Sequence, residues 1–108
     1  MSTIKVKTRI GVYECNTNLG KYPNGNTCLS LSTVDGLPFA NLTVNLGEIR
    51  TNEAFLDTNN SPFVQYLMKE YNLGEYAEYN QISGWVVYPL YKLNLDEIKK
   101  YTKKCLNT

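Results

Sequence analysis

Apolar and polar residues alternate from residue 3 to residue 14. Ile4, Val6, Ile10 and Val12 fall on one side with Thr8, and Lys5, Lys7, Arg9 and Tyr13 fall on the other. A period of two predicts a half-buried strand with a basic outer face. Residues 16–26 are rich in Asn, Gly and Thr, and Tyr22-Pro23-Asn24-Gly25 predicts a turn. Alternation resumes over 27–33, where Cys28, Ser30 and Ser32 oppose Leu29 and Leu31. Asp35-Gly36 marks a hairpin turn, and 39–46 returns as a strand with Leu42, Val44 and Leu46 on one face. These three strands are expected to form one antiparallel meander.

The period then changes. Residues 47–60 read as a polar connection around Ala54-Phe55-Leu56. Phe63, Val64, Leu67, Met68 and Tyr71 make an apolar stripe at helical spacing, so a helix is predicted over 61–72. Ser61 is its expected cap, Pro62 its first residue and Gly74 its left-handed terminator. Residues 75–83 read equally as strand or loop. Residues 85–93 are apolar on both faces, as in a central strand, but Pro89 cannot donate to a ladder, so a bulge or strand end is expected there. A second helix is predicted over 94–106, with Asn94 as cap, Glu97 in a capping-box position and Cys105 on its apolar side. The fold class is therefore α+β: one domain over 1–108, with a mainly antiparallel sheet of about four strands (3–14, 27–33, 39–46 and 85–93) and two helices.

Composition narrows the chemistry. The chain of 108 residues has nine tyrosines, one tryptophan and no histidine. Histidine is the usual proton shuttle near neutral pH and a common metal ligand. Its absence, together with the lack of a Gly-rich phosphate loop, argues against an enzyme. Cys15, Cys28 and Cys105 are far apart and form no CxxC pair, so neither a zinc site nor a disulfide framework is expected. No cofactor is called for. Reduced thiols and the lack of a signal-like or membrane-spanning segment predict a cytoplasmic protein that does not enter membranes.

The net charge is +1, yet charge is segregated. Residues 1–21 sum to +3, residues 48–78 to −4 and residues 92–104 to +3. Three groups of candidate binding residues follow. Trp85, Tyr88 and Tyr91 offer stacking or hot-spot surfaces, against the alternative that they belong to a core strand. Tyr76 and Tyr79, each preceded by a glutamate, would meet basic partner groups, or else form a half-exposed connection. Lys103 and Lys104 remain free of the helical ion pairs open to Lys99 and Lys100 and would contact phosphate, or else line a solvated helix face.

Two blocks carry a resemblance. Leu37-Pro38-Phe39-Ala40-Asn41-Leu42-Thr43-Val44-Asn45-Leu46 is followed by Asn52-Glu53-Ala54-Phe55-Leu56-Asp57-Thr58-Asn59-Asn60. Tyr71-Asn72-Leu73-Gly74 is followed by Ser83-Gly84-Trp85-Val86-Val87-Tyr88-Pro89-Leu90-Tyr91. Over 28–93 the chain resembles a family of small uncharacterised proteins of bacterial phages and conjugative elements, with the lysine-rich C-terminus lying beyond the family's usual end. The resemblance brings no catalytic residues. It implies a mobile-element accessory protein in a bacterial cell. The expected function is non-enzymatic inhibition of a host defence system, of the anti-CRISPR or anti-restriction type, by binding a host defence protein or nucleoprotein complex. The alternatives are a binder that sequesters a nucleotide signal in an aromatic pocket near Trp85, Tyr88 and Tyr91, and a weak nucleic-acid binder. A homodimer through open sheet edges is a further expectation.

Overall fold

The computed structural model describes residues 2–103. Its order is β1 (Ile4–Thr8), β2 (Gly11–Lys21), β3 (Thr27–Thr33), β4 (Pro38–Asn41), β5 (Thr43–Val44), β6 (Glu53–Leu56), α1 (Val64–Glu70), β7 (Gly74–Ser83), β8 (Val86–Leu93) and α2 (Leu95–Lys99). The chain is broadly α+β, with strand predominating. The single sheet expected from the sequence is two antiparallel sheets of four strands, ordered β1-β2-β3-β4 and β5-β6-β8-β7.

The first difference arises in residues 3–14. This segment is a hairpin, with Val6 opposite Tyr13 and Thr8 opposite Gly11. The Thr8 hydroxyl secures the turn, donating to the Gly11 carbonyl at 3.0 Å and accepting from the Ile10 amide at 3.3 Å. Reversal of the chain inverts which positions face inward. Ile4 and Val6 enter the core as predicted, whereas Ile10 and Val12 are exposed and Tyr13 packs inward. β2 then runs on through the Asn-, Gly- and Thr-rich residues 16–21 and reverses at the predicted Tyr22–Gly25 turn, where Gly25 has φ +89°.

The second difference is at Leu42. Residues 39–46 are two strands: β4 pairs with β3 in the first sheet, and β5 pairs with β6 in the second. The Leu42 amide donates to the Leu29 carbonyl, and the Leu42 carbonyl accepts from the Asp57 amide, each at 2.9 Å. Leu42 thus turns the corner between the sheets, fully buried. One core takes Ile4, Val6, Leu29 and Leu31 from the first sheet, Ala54, Leu56, Tyr91 and Leu93 from the second, and Val64, Leu67, Met68 and Ile98 from the helices.

Helix α1 exists where the apolar stripe placed it, but its ends differ. Ser61 is not its cap: the Ser61 hydroxyl donates to the Asn41 carbonyl at 2.9 Å, and Phe63 occupies the N-cap with no side-chain bond. The left-handed residue after the helix is Asn72 (φ +55°), not Gly74. The Leu73 amide returns to the Met68 carbonyl at 2.9 Å, which satisfies a carbonyl of the last turn. Gly74 is required for another reason: a Cβ there would lie 2.8 Å from the Lys92 carbonyl oxygen. Helix α2 is capped by Asn94 as predicted, through the Glu97 amide at 3.4 Å, but it spans 95–99. Glu97 does not close a capping box. The Asn94 amide donates to Leu73, and the Glu97 carboxylate pairs with Lys100 at 3.0 Å. The predicted part of this helix beyond 103, with Cys105, lies outside the described residues.

Candidate functional site

Residues 75–83, left open between strand and loop, form β7, which pairs with β8. Pairing between β8 and β6 stops at Leu90, opposite Phe55. Pro89 is the next residue, so an imide without an N–H sits where the ladder to β6 has ended. From there to the turn, β7 and β8 are a two-stranded finger over residues 80–89. Ser83 pairs with Val86, leaving Gly84-Trp85 as a two-residue loop. Gly84 has φ +62° at the first loop position, the place where a type II′ hairpin requires glycine. Trp85, at the second, points into solvent and is 102% exposed. The cross-strand pair Ile82 and Val87 is also exposed, at 72% and 51%. Residues 79–91 contain no charged side chain. Several large apolar side chains exposed together on one uncharged finger suit an interaction site better than a single exposed residue does.

The root of the finger is fixed on both faces. Gln81 donates to the Leu46 carbonyl at 3.1 Å, tying the finger to the connection after β5. That connection is held in turn by Asn26, buried at 4% exposure. Its amide nitrogen donates to Asn45 Oδ1 at 2.8 Å and to the Gly47 carbonyl, and its Oδ1 accepts from the Ile49 amide at 3.3 Å. On β7 the register shifts between Tyr76 and Asn80, and Glu78 adopts φ +57°. Residues 77–79 all bulge opposite Leu90, which leaves Tyr76 and Asn80 on the same face of the sheet.

The predicted aromatic residues are not gathered into one pocket. Trp85 is at the tip. Tyr88 and Tyr91 are three positions apart on a strand and so face opposite sides. Tyr91 is core: 9% exposed, it accepts from Gln65 Nε2 at 3.2 Å and packs on Tyr76 with ring centres 5.9 Å apart. Tyr79 packs on Phe55 at 6.2 Å from the opposite face, and Tyr88 is half-buried. Tyr76 and Tyr79 keep large exposed areas beside Glu75 and Glu78. Tyr76 and Tyr91, with Gln65, Lys69 and Glu75, line a cleft of about 290 Å3 between α1 and β7. Lys103 is exposed at the far end of the molecule, and Lys104 lies outside the described residues.

The basic segments meet only at the Lys5 end of β1, because Lys7, opposite Val12, and Arg9, in the turn, run away from the junction. Thr17 forms a parallel bridge with Thr102, and its amide donates to the Tyr101 carbonyl at 3.1 Å. The segment after α2 therefore lies against the edge of β2 just beyond the start of β1, which is paired from Ile4 to Cys15. Tyr71 links the two: its hydroxyl accepts from the Lys5 amide at 2.8 Å, and its ring packs edge-on against Tyr101 at 5.5 Å. The outer face of the first sheet is polar and contains a shallow depression of about 510 Å3 whose lining includes Asn18, Ser30, Ser32 and Asn41. Among titrating groups, burial raises the Cys15 thiol. It also raises the Tyr22 phenol, opposed by the hydrogen bond with Thr43 and reinforced by Cys28 and Asp57. Burial raises Tyr101, helped by Glu97 and Tyr71. Among the described residues no group of three or more His, Cys, Asp or Glu side chains is placed to hold a metal. No described helix is long and apolar enough to cross a membrane.

Two features escaped sequence reasoning. The finger was signalled by Ser83-Gly84-Trp85-Val86, glycine at the first position of a two-residue loop between apolar flanks. The Asn26 clamp had no signal, because its partners lie about twenty residues away.

Residues 16–108 match the family model described as a domain of unknown function (DUF4313), and the chain belongs to that family. The match runs to residue 108, so the lysine-rich C-terminus lies inside the family's span and is not an addition to it. No curated protein and no solved structure matches the chain.

Proposed function

We propose that this protein is a non-enzymatic, protein-binding accessory factor, and that the β7–β8 finger is its contact element. One observation carries the reading. An uncharged two-stranded finger holds the chain's single tryptophan fully in solvent, beside the exposed Ile82 and Val87. Among the described residues the indole has no packing partner, and Ile82 and Val87 leave most of their surface open. Trp is among the residues that dominate protein interfaces, and an indole at a glycine-fixed turn loses little freedom on binding.

The setting proposed is a phage or conjugative element in a bacterial cytoplasm, with a host defence protein or nucleoprotein complex as the target. The resemblance over 28–93 supports this setting, and the absence of histidine supports the non-enzymatic reading. The nucleotide-sequestering alternative is not favoured, because Trp85, Tyr88 and Tyr91 do not share a pocket. The test is affinity capture from bacterial lysate with the wild-type chain and with Trp85→Ala, alongside an immunity assay in cells that express each. The expected result is a defence component retained by the wild type and lost by the variant, with weakened immunity only for the wild type. Recovery of no such component, together with normal immunity, overturns the proposal.

A further inference from the structure

The outer face of the first sheet has a composition that strand formation does not explain. Exposed strand positions favour β-branched and aromatic residues, and Asn is depleted there. Yet Asn18 is paired with Ser30, and Ser30 with Asn41, across β2, β3 and β4, with Ser32 beside them. The Asn18 amide donates to the Ser32 hydroxyl at 3.2 Å. These groups floor the shallow depression of about 510 Å3, whose lining contains no charged residue. On the next strand of the same face, Ile4 and Val6 point inward, which turns Lys5 and Lys7 outward. The segment ending in Lys103 joins the same edge of β2.

The carboxylates on this side are Glu14, Asp35 in the turn beside Gly36 of the lining, and Asp96 and Glu97 on α2. Glu14 faces Lys5 across the β1–β2 pair, and Glu97 is paired with Lys100 at 3.0 Å. Lys7, Arg9, Lys99 and Lys103 appear in no ion pair among the described residues. The excess of carboxylates lies elsewhere, in residues 48–78. A cationic strand bordering a sheet of neutral amide and hydroxyl groups suits a ligand with regularly spaced negative charge and many hydrogen-bond acceptors. Nucleic-acid backbones have this chemistry, and Asn, Ser and Lys are among the side chains that contact phosphate and sugar. Phe39 is the one aromatic residue in the lining, and its ring is already packed against Tyr13 and Phe63 rather than open to stack a base, so contact would be independent of sequence.

We propose that the outer face of the first sheet, with the β1 edge and the Lys103 segment, binds the phosphate backbone of a nucleic acid. The activity is separate from the finger, which lies at the opposite end of the β7–β8 hairpin from α2. It gives the protein two contact surfaces, which suits recognition of a nucleoprotein complex.

The experiment titrates labelled single- and double-stranded DNA and RNA oligonucleotides with the full chain. Salt is varied from about 20 mM to about 150 mM, and three to four neutralised phosphates give a log–log slope of about −3 on duplex. Lys7→Ala with Lys103→Ala is expected to weaken binding evenly across sequences and to reduce the slope by about 2. Ser30→Asp, which puts a carboxylate in the centre of the face, is expected to weaken binding at least tenfold. Lys21→Ala, at the other end of β2, should leave it unchanged. Circular dichroism melts check that each variant is folded. No binding at the lowest salt, full binding by folded Ser30→Asp, or equal binding to anionic lipid vesicles overturns the proposal.

Discussion

Trp85→Ala should separate folding from recognition. The indole is 102% exposed and packs on none of the described residues, so the area rule of about 25 cal/mol per Å2 assigns its removal no lost burial. The turn conformation belongs to Gly84, whose φ of +62° a two-residue hairpin loop needs, and that residue is untouched. The expected change in folding free energy is within about 0.5 kcal/mol, as for other surface substitutions. Phe55, 2% exposed beneath the root of the finger, supplies the contrast: Phe55→Ala should cost about 3–5 kcal/mol. The variant lacks the chain's only tryptophan, so urea unfolding must be followed by far-ultraviolet circular dichroism. Coincident midpoints with equal slopes are expected. In the wild-type protein, indole emission should match that of free tryptophan amide both before and after unfolding. For a partner that grips the finger, the same substitution should cost about 2 kcal/mol or more, roughly thirtyfold in affinity. A loss of folding stability above about 1 kcal/mol, or a blue-shifted native emission, would mean that the indole packs against the protein, and the account of the finger would fail.

Three further outcomes can be checked by melting or urea titration. Gly74→Ala should destabilise by about 1–3 kcal/mol, because the new methyl meets the Lys92 carbonyl oxygen at 2.8 Å and Met68 Sδ at 3.3 Å; an unchanged midpoint would show that β8 yields freely. Asn26→Ala should cost about 2–3 kcal/mol, because it strips partners from Gly47, Asn45 and Ile49, and hydrogen exchange should rise across 45–51; unaltered exchange there would refute the clamp. Burial raises Cys15, Tyr22 and Tyr101, so the native state favours their protonated forms. That stability is complete below the ordinary values of about 8.5 for Cys and about 10 for Tyr, and is lost as pH climbs past them. Melting temperature should therefore be level near neutrality and fall in alkali; a level profile to about pH 11 would contradict it.

Particular residues show where the sequence was legible. β3, the Asp35-Gly36 turn, the Tyr22–Gly25 turn and the core of α1 were readable because period and turn chemistry agree locally. The β1–β2 reversal was hidden, since Thr8-Arg9-Ile10-Gly11 lacks an Asn-Gly or Asp-Gly pair and apolar residues continue through it. The change of sheet at Leu42 was hidden for a related reason. Leu42, Val44 and Leu46 keep one parity, and alternation reports a face without reporting which sheet it belongs to. The apolar block from Trp85 onward mixes two roles. Tyr91 lies under α1, whereas Trp85 and Val87 extend past the end of β6, and hydrophobicity alone does not reveal where a neighbouring strand ends.

The corner at Leu42 also governs how the molecule comes apart. Its amide is committed to Leu29 in one sheet and its carbonyl to Asp57, which follows β6 of the other, while Ser61 binds the adjoining Asn41 carbonyl. Pulling the sheets apart would strand a buried donor and a buried acceptor in the same step, each at a cost of about 1–3 kcal/mol. The two sheets are therefore expected to unfold as one cooperative unit. Separately expressed fragments divided between β5 and β6 should remain unfolded alone and regain structure only when mixed. The finger, which needs only two strands, should be the first segment to fray within an otherwise all-or-none transition.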